Sequence, residues 1–220
     1  MGKIILSGTE KGGVGKSTTA LNLAVALANE HYRGDTSKIL LVDADPQGTL
    51  YAWSQRREEN ESLNGFPCIQ LLNNISQQVR REAERYDYVI IDVSGRDKEN
   101  KELRSAMTVA DIMLIPTSPS LADLEVLPSL VTNIETAQIY NEKLKACVFI
   151  NKADSKSQRE IERGKNIIKE FHELTFLRTR VLSCIAHREA IVDGRGVHEL
   201  KNHKAKGEIS CLLKEVLNEL

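Results

Sequence analysis

The sequence is poor in aromatic residues, which make up 5% of 220 positions and include one tryptophan. A base-stacking platform has little to draw on. Tyr51, Trp53 and Tyr140 are the obvious set, and core packing is the expected role for them. A Cys-x-x-Cys pair is missing too. Cys68, Cys147, Cys184 and Cys211 are scattered, which argues against a zinc or iron–sulfur site within one chain. Cys147, Cys184 and Cys211 fall in apolar stretches, where buried reduced thiols are expected. Excess charge is absent: the formal net charge is -1 and the sequence pI is about 6.5. A protein that coats itself in nucleic acid by bulk charge would be basic, so any such binding must come from a local patch. No signal-peptide core follows Met1 and no apolar run approaches membrane-spanning length, which points to a cytoplasmic protein with no membrane partner. Nor is there a repeat, a low-complexity tract or a linker. With 41% hydrophobic and 28% charged residues, the expectation is one domain over residues 1–220.

What the chain does have is alternation. Strands are predicted at 3–7, 38–42, 68–72, 88–91, 112–115, 145–150 and roughly 180–183. Amphipathic helices are predicted at 16–30, 48–59, 75–85, 101–109, 129–140 and 158–173. The runs Ile39–Val42, Tyr88–Ile91 and Ile112–Ile115 are continuously apolar and suit strands covered on both faces. The class is therefore α/β: a doubly wound, mostly parallel sheet with helices on both faces, binding ligands at the strands' carboxyl ends. Ser157 and Glu160 predict a capping box, and Pro128 marks a helix start or kink. The C-terminal 207–220 segment sets Ile209, Leu212, Leu213, Val216, Leu217 and Leu220 on one face. Its polar face carries Glu208, Lys214, Glu215 and Glu219, acidic on balance, whereas a membrane-targeting helix needs a basic one, so packing on the domain is expected.

The strongest local signal is Lys11-Gly12-Gly13-Val14-Gly15-Lys16-Ser17-Thr18, between a strand and a helix. Glycines let backbone N–H groups wrap a phosphate, and the helix adds its N-terminal dipole. Lys16 is expected on the β/γ-phosphates and the Ser17 hydroxyl on Mg²⁺. Two further acidic sites sit at strand ends. Asp43 and Asp45 share one side of the second strand's end, and Asp92 closes the fourth strand, where a metal-holding carboxylate belongs. A helix cap and a turn are the competing explanation for Asp43 and Asp45. After the sixth strand, Asn151-Lys152-Ala153-Asp154 spells the N-K-x-D pattern that reads guanine in GTPases, which keeps GTP open beside ATP.

The loop resembles the deviant Walker A form, K-G-G-x-G-K-[ST], of the ParA/MinD family, with Glu10 where the general motif has its first glycine. Asp43–Gly48 resembles that family's D-x-D-P-Q-G switch. The resemblance implies an ATPase in which Lys11 reaches the phosphates of a partner's nucleotide, Asp45 orients the attacking water and Asp43 supports the Mg²⁺ water shell. Asn151, with Lys152 and Asp154 beside it, falls where the family contacts adenine. After Asp92 the chain reads Val-Ser-Gly-Arg-Asp instead of D-x-P-P, as in short ParF-like plasmid partition proteins, and Arg96 and Asp97 belong either to that switch or to a solvated loop.

The resemblance further implies an ATP-dependent homodimer that binds DNA non-specifically and moves plasmid, chromosome or other cargo. A centromere- or cargo-binding adaptor would stimulate slow hydrolysis. The loop begins by residue 10, leaving no room for the N-terminal DNA-reading domain of longer relatives. Lys156, Arg159, Arg163, Arg188, Arg195 and Lys204 are candidates for tracking DNA phosphates, against the simpler reading of a solvated charged face. A MinD-like switch and a small-molecule ligase or synthetase of the same superfamily are the competing functions.

Overall fold

The alternation becomes seven strands in one sheet, ordered β3-β2-β4-β1-β5-β6-β7, with every neighbouring pair parallel. The computed structural model describes residues 1–95, 100–154 and 157–220; Arg96, Asp97 and Lys156 lie outside them. In chain order the elements are β1 (Lys3–Ser7), α1 (Lys16–His31), β2 (Ile39–Ala44), α2 (Thr49–Glu58), β3 (Cys68–Gln70), α3 (Ser76–Glu82), β4 (Tyr88–Val93) and α4 (Lys101–Met107). Then follow β5 (Ile112–Thr117), α5 (Leu121–Leu124), α6 (Leu127–Gln138), β6 (Lys145–Ala153), α7 (Gln158–Ile168), β7 (Leu174–Leu182), α8 (Ile185–Val192) and α9 (His203–Glu219).

Both faces of the sheet are covered, which is why the central strands read as unbroken apolar runs. Ile4 and Leu6 join the core beneath α4, α6 and α7, while Ile5 joins the opposite core with α1, α2 and α9. Pairing of Ser7 with Asp92 and of Asp92 with Asp43 sets one polar row across β1, β4 and β2 at their carboxyl ends.

Several expectations need correction. β7 runs over nine residues, not four, and α7 stops at Ile168, not 173. The strand was hard to read because Arg178 and Arg180 interrupt its apolar pattern, as an edge strand allows. α5 and α8 were not foreseen, being only 4 and 8 residues long. Ser157 makes no side-chain cap, whereas Asn202 caps α9 by accepting from the Ala205 N–H. Pro128 does sit in the first turn of α6. Of the three thiols expected inside, Cys147 is buried, Cys184 is partly covered and Cys211 is exposed. Trp53 is fully buried, but Tyr140 is 75% exposed.

The acidic face of α9 finds its use at the free edge of β7. Pairing with β6 is irregular between Val148↔Phe176 and Ile150↔Arg180. There Glu215 accepts from the backbone N–H groups of both Arg178 and Thr179, at 2.6 and 2.9 Å, and Glu208 accepts from Leu182 N–H. Side-chain carboxylates thus occupy donors that an open edge would offer another chain. Glu215→Ala leaves those donors to water and is expected to lower stability by about 2 kcal/mol, read as a lower urea midpoint at unchanged slope.

Candidate nucleotide site

β1 feeds directly into the glycine loop and α1. Gly13 and Gly15 have φ of 77° and 99°, values that favour glycine, and Gly15 caps α1 in the left-handed conformation. Two residues from the end of β6 brace this loop from the side. Asn151 Nδ2 donates to the Val14 carbonyl at 2.7 Å and Lys152 Nζ donates to the Gly13 carbonyl at 2.6 Å. A Cβ on Gly15 would collide with the Asn151 amide. The first two residues of the N-K-x-D motif therefore hold the loop's backbone, an arrangement that spacing alone did not reveal. Asp154 lies exposed beyond them.

Lys16 is 7% exposed, and its Nζ donates to the Lys11 carbonyl at 2.8 Å. Its own carbonyl accepts from Ser7 Oγ. Gly95 follows β4 so closely that a Cβ there would strike Lys16 Nζ and the Lys11 carbonyl oxygen. The glycine in the variant Asp92-Val-Ser-Gly sequence is what lets that loop touch the phosphate loop.

Asp92 is fully buried, and among the described residues neither carboxylate oxygen has a hydrogen-bond partner. Burial pushes its pKa up to about 8. Asp43 and Asp45 add to the rise, while the Ser17 hydroxyl and Lys16 oppose it. An orphaned carboxylate beside a hydroxyl at a helix N-terminus fits a divalent cation. No group of three or more His, Cys, Asp or Glu that could hold a metal occurs among the described residues. A cation here would thus rely on Ser17, Asp92 and oxygens from outside the protein.

Asp43 is buried, and burial raises its pKa against the hydrogen bonds it accepts. Its carboxylate takes the N–H of Asp45 at 3.0 Å and of Tyr51 at 2.7 Å, so it caps the first turn of α2. Asp45 accepts from Gln47 N–H through Oδ1 and from Gly48 N–H through its carbonyl. The cap and the turn, set against a functional role in the sequence, are both present in the fold.

Beside the loop a cavity of about 280 Å³ lies between Thr18 and Thr19 of α1, the Asn151–Lys152 brace and the start of α8. His187 and Arg188 line it, and their place beside the loop was missed because α8 itself was not foreseen. Burial lowers the His187 pKa. Of the six residues expected to track DNA, the five within the described residues do not form one patch. Arg188 faces this cavity, Arg195 reaches Ser62 Oγ in a cleft shared with Glu59, Glu61 and Asp193, and Lys204 borders a groove with Arg178 and Arg180. Arg159 and Arg163 are exposed on α7.

The model of the CobQ/CobB/MinD/ParA nucleotide-binding domain family matches residues 5–198. The maintenance of carboxysome distribution protein A of Gloeobacter kilaueensis is 29% identical over 212 residues, covering 96% of this chain and 90% of that protein. Its namesake in Halothiobacillus neapolitanus is also 29% identical, covering 94% and 93%. A structure of a Borrelia burgdorferi plasmid partition protein bound to AMPPNP superposes with a TM-score of 0.74 over the full length of both chains, at 18% identity.

Asn151→Ala removes the brace on Val14 without touching a phosphate-facing group. Affinity for ATP and ADP is expected to fall about tenfold alike, the worth of one buried hydrogen bond, as measured by calorimetric titration.

Proposed function

The chain belongs to the CobQ/CobB/MinD/ParA nucleotide-binding family and is an ATPase of the ParA/MinD type, and from that premise we propose that it is a positioning switch for DNA or another cellular cargo. ATP binding pairs two copies, the pair holds DNA without reading its sequence, and an adaptor protein ends the pairing by stimulating a slow hydrolysis. The carboxysome-distribution and plasmid-partition names of its relatives support the cargo class.

The observation that carries this reading is the division of labour between two lysines of one loop. Lys16 is nearly buried against the loop backbone, whereas the Lys11 side chain is 36% exposed on the loop's outer side. The inner cation neutralises the β/γ-phosphates of its own nucleotide, and the outer one serves a neighbour's once it leaves the partly exposed contact it makes within its own chain. Backbone N–H groups of 12–18 and the α1 dipole hold the phosphate chain. Ser17 and Asp92 would hold Mg²⁺, with Asp43 supporting its water shell; when bound, the ion neutralises phosphate charge. Asp45, at the turn that opens α2, orients the attacking water. Loss of the terminal phosphate removes the anion shared between copies, so hydrolysis and separation are one event. The acidic side chains of α9, engaged with β7, argue for this switch over one seated on a membrane.

By light scattering, the parent chain should pair with Mg-ATP and not with ADP, and Lys11→Ala should remain single with both. Asp45→Ala should pair with ATP, retain DNA and lose roughly 10²- to 10⁴-fold in hydrolysis rate. An Asp45→Ala protein that stays single and ignores DNA at saturating Mg-ATP refutes the reading. Preference for GTP over ATP in the same titrations refutes the choice of nucleotide.

A further inference from the structure

The outer lysine of the loop is held by its own chain. Lys11 Nζ lies 3.1 Å from Asp123 Oδ1 and donates to the Ala122 carbonyl at 3.1 Å. Asp123 belongs to α5, just past β5, and its other oxygen accepts from Ser118 Oγ. The neighbouring Glu10 is tied to the same region, its carboxylate accepting from Asn133 Nδ2 of α6 at 2.6 Å. Both residues that lead into the phosphate loop are therefore docked on the α5–α6 side of the molecule.

We propose that Asp123 is a positioning residue that sets the nucleotide threshold for pairing, because its carboxylate and a phosphate on a second copy compete for the same Lys11 ammonium. The inference rests on the pairing reading above. An ammonium has three donors and one location. Seated between Asp123 and the Ala122 carbonyl, it is not at a neighbour's phosphate. The ion pair is partly exposed, with side chains 36% and 21% accessible, so it is weak enough to be exchanged. The competition is between anions of different charge and reach. Coulomb attraction grows with charge and falls with distance, so a nucleotide one phosphate shorter offers Lys11 less than Asp123 does, and a triphosphate offers more. Ser118 makes the carboxylate a fixed competitor by holding its second oxygen. Burial raises the Asp123 pKa, but the hydrogen bonds from Ser118 and Lys11 outweigh it and keep the group below the usual carboxylate range, hence charged.

The test is a titration of the 220-residue chain with Mg-ATP and Mg-ADP, with pairing followed by light scattering. Asp123→Asn keeps the side chain's size and an acceptor for Ser118 but removes the charge. It is expected to pair at an ATP concentration roughly five- to tenfold below the parent's and to show pairing with ADP. Ser118→Ala, which loosens the carboxylate without removing it, should shift the threshold the same way by less, and it decides the matter if the Asn variant folds poorly. In a Lys11→Ala background neither substitution should change anything. The proposal is overturned if both variants keep the parent's threshold, or if the shift persists without Lys11. Should the parent fail to pair with ATP, or Lys11→Ala pair like the parent, the pairing reading itself falls and takes this inference with it. A parent that pairs through Lys11 beside unshifted variants sinks the Asp123 proposal alone.

Discussion

Placing an unpartnered carboxylate in the interior is among the more costly things a fold does, and Asp92 sits fully buried at the carboxyl end of β4 with Asp43 one strand away. Asp92 faces the N-terminus of α1, where Lys16, Ser17 and the ends of the backbone dipoles supply positive potential, whereas Asp43 is held by the N–H groups that open α2. Everything around them is arranged so that they can stay there. Parallel strands align Ser7, Asp92 and Asp43 in one row, and Gly95 lets the loop after β4 close against Lys16. Asp43 is compensated by the N–H groups of Asp45 and Tyr51, while Asp92 carries the larger share of the burial cost.

The glycine loop would be soft without its brace. Three glycines in four positions leave the backbone many conformations, and Asn151 and Lys152 select one by gripping the carbonyls of Val14 and Gly13. Bracing from β6 thus draws the carbonyls of Val14 and Gly13 to one side of the loop.

A second set of ties links the carboxylate turn to the cavity side. α2, which begins where Asp45 turns the chain, buries Arg57 in a two-point ion pair with Glu199, at 2.8 and 2.6 Å, under the rings of Trp53 and Phe66. Trp53 Nε1 donates to the Arg195 carbonyl, and Arg56 donates to that of Ile191. The helix that follows the Asp45 turn and the α8 segment that lines the cavity beside the glycine loop are thus parts of one packed unit. This also explains why Arg195, which looks like a surface cation in the sequence, is anchored by its backbone.

The sequence by itself determined the class of fold and the heart of the site. Continuous apolar runs demand a sheet covered on both faces, and the spacing of glycines, lysine and hydroxyls from 11 to 18 has few physical uses besides binding phosphate. Those are local properties, carried by neighbours along the chain. Tertiary structure alone decided the rest. The length of β7, the short helix α8, the hold of Asn151 on a loop 137 positions away, the carboxylates of α9 on an open strand edge and the pairing of Lys11 with Asp123 all join residues distant in sequence. No periodicity records a contact of that kind, because a polar side chain that caps a strand or braces a loop is indistinguishable, one residue at a time, from one that only meets water.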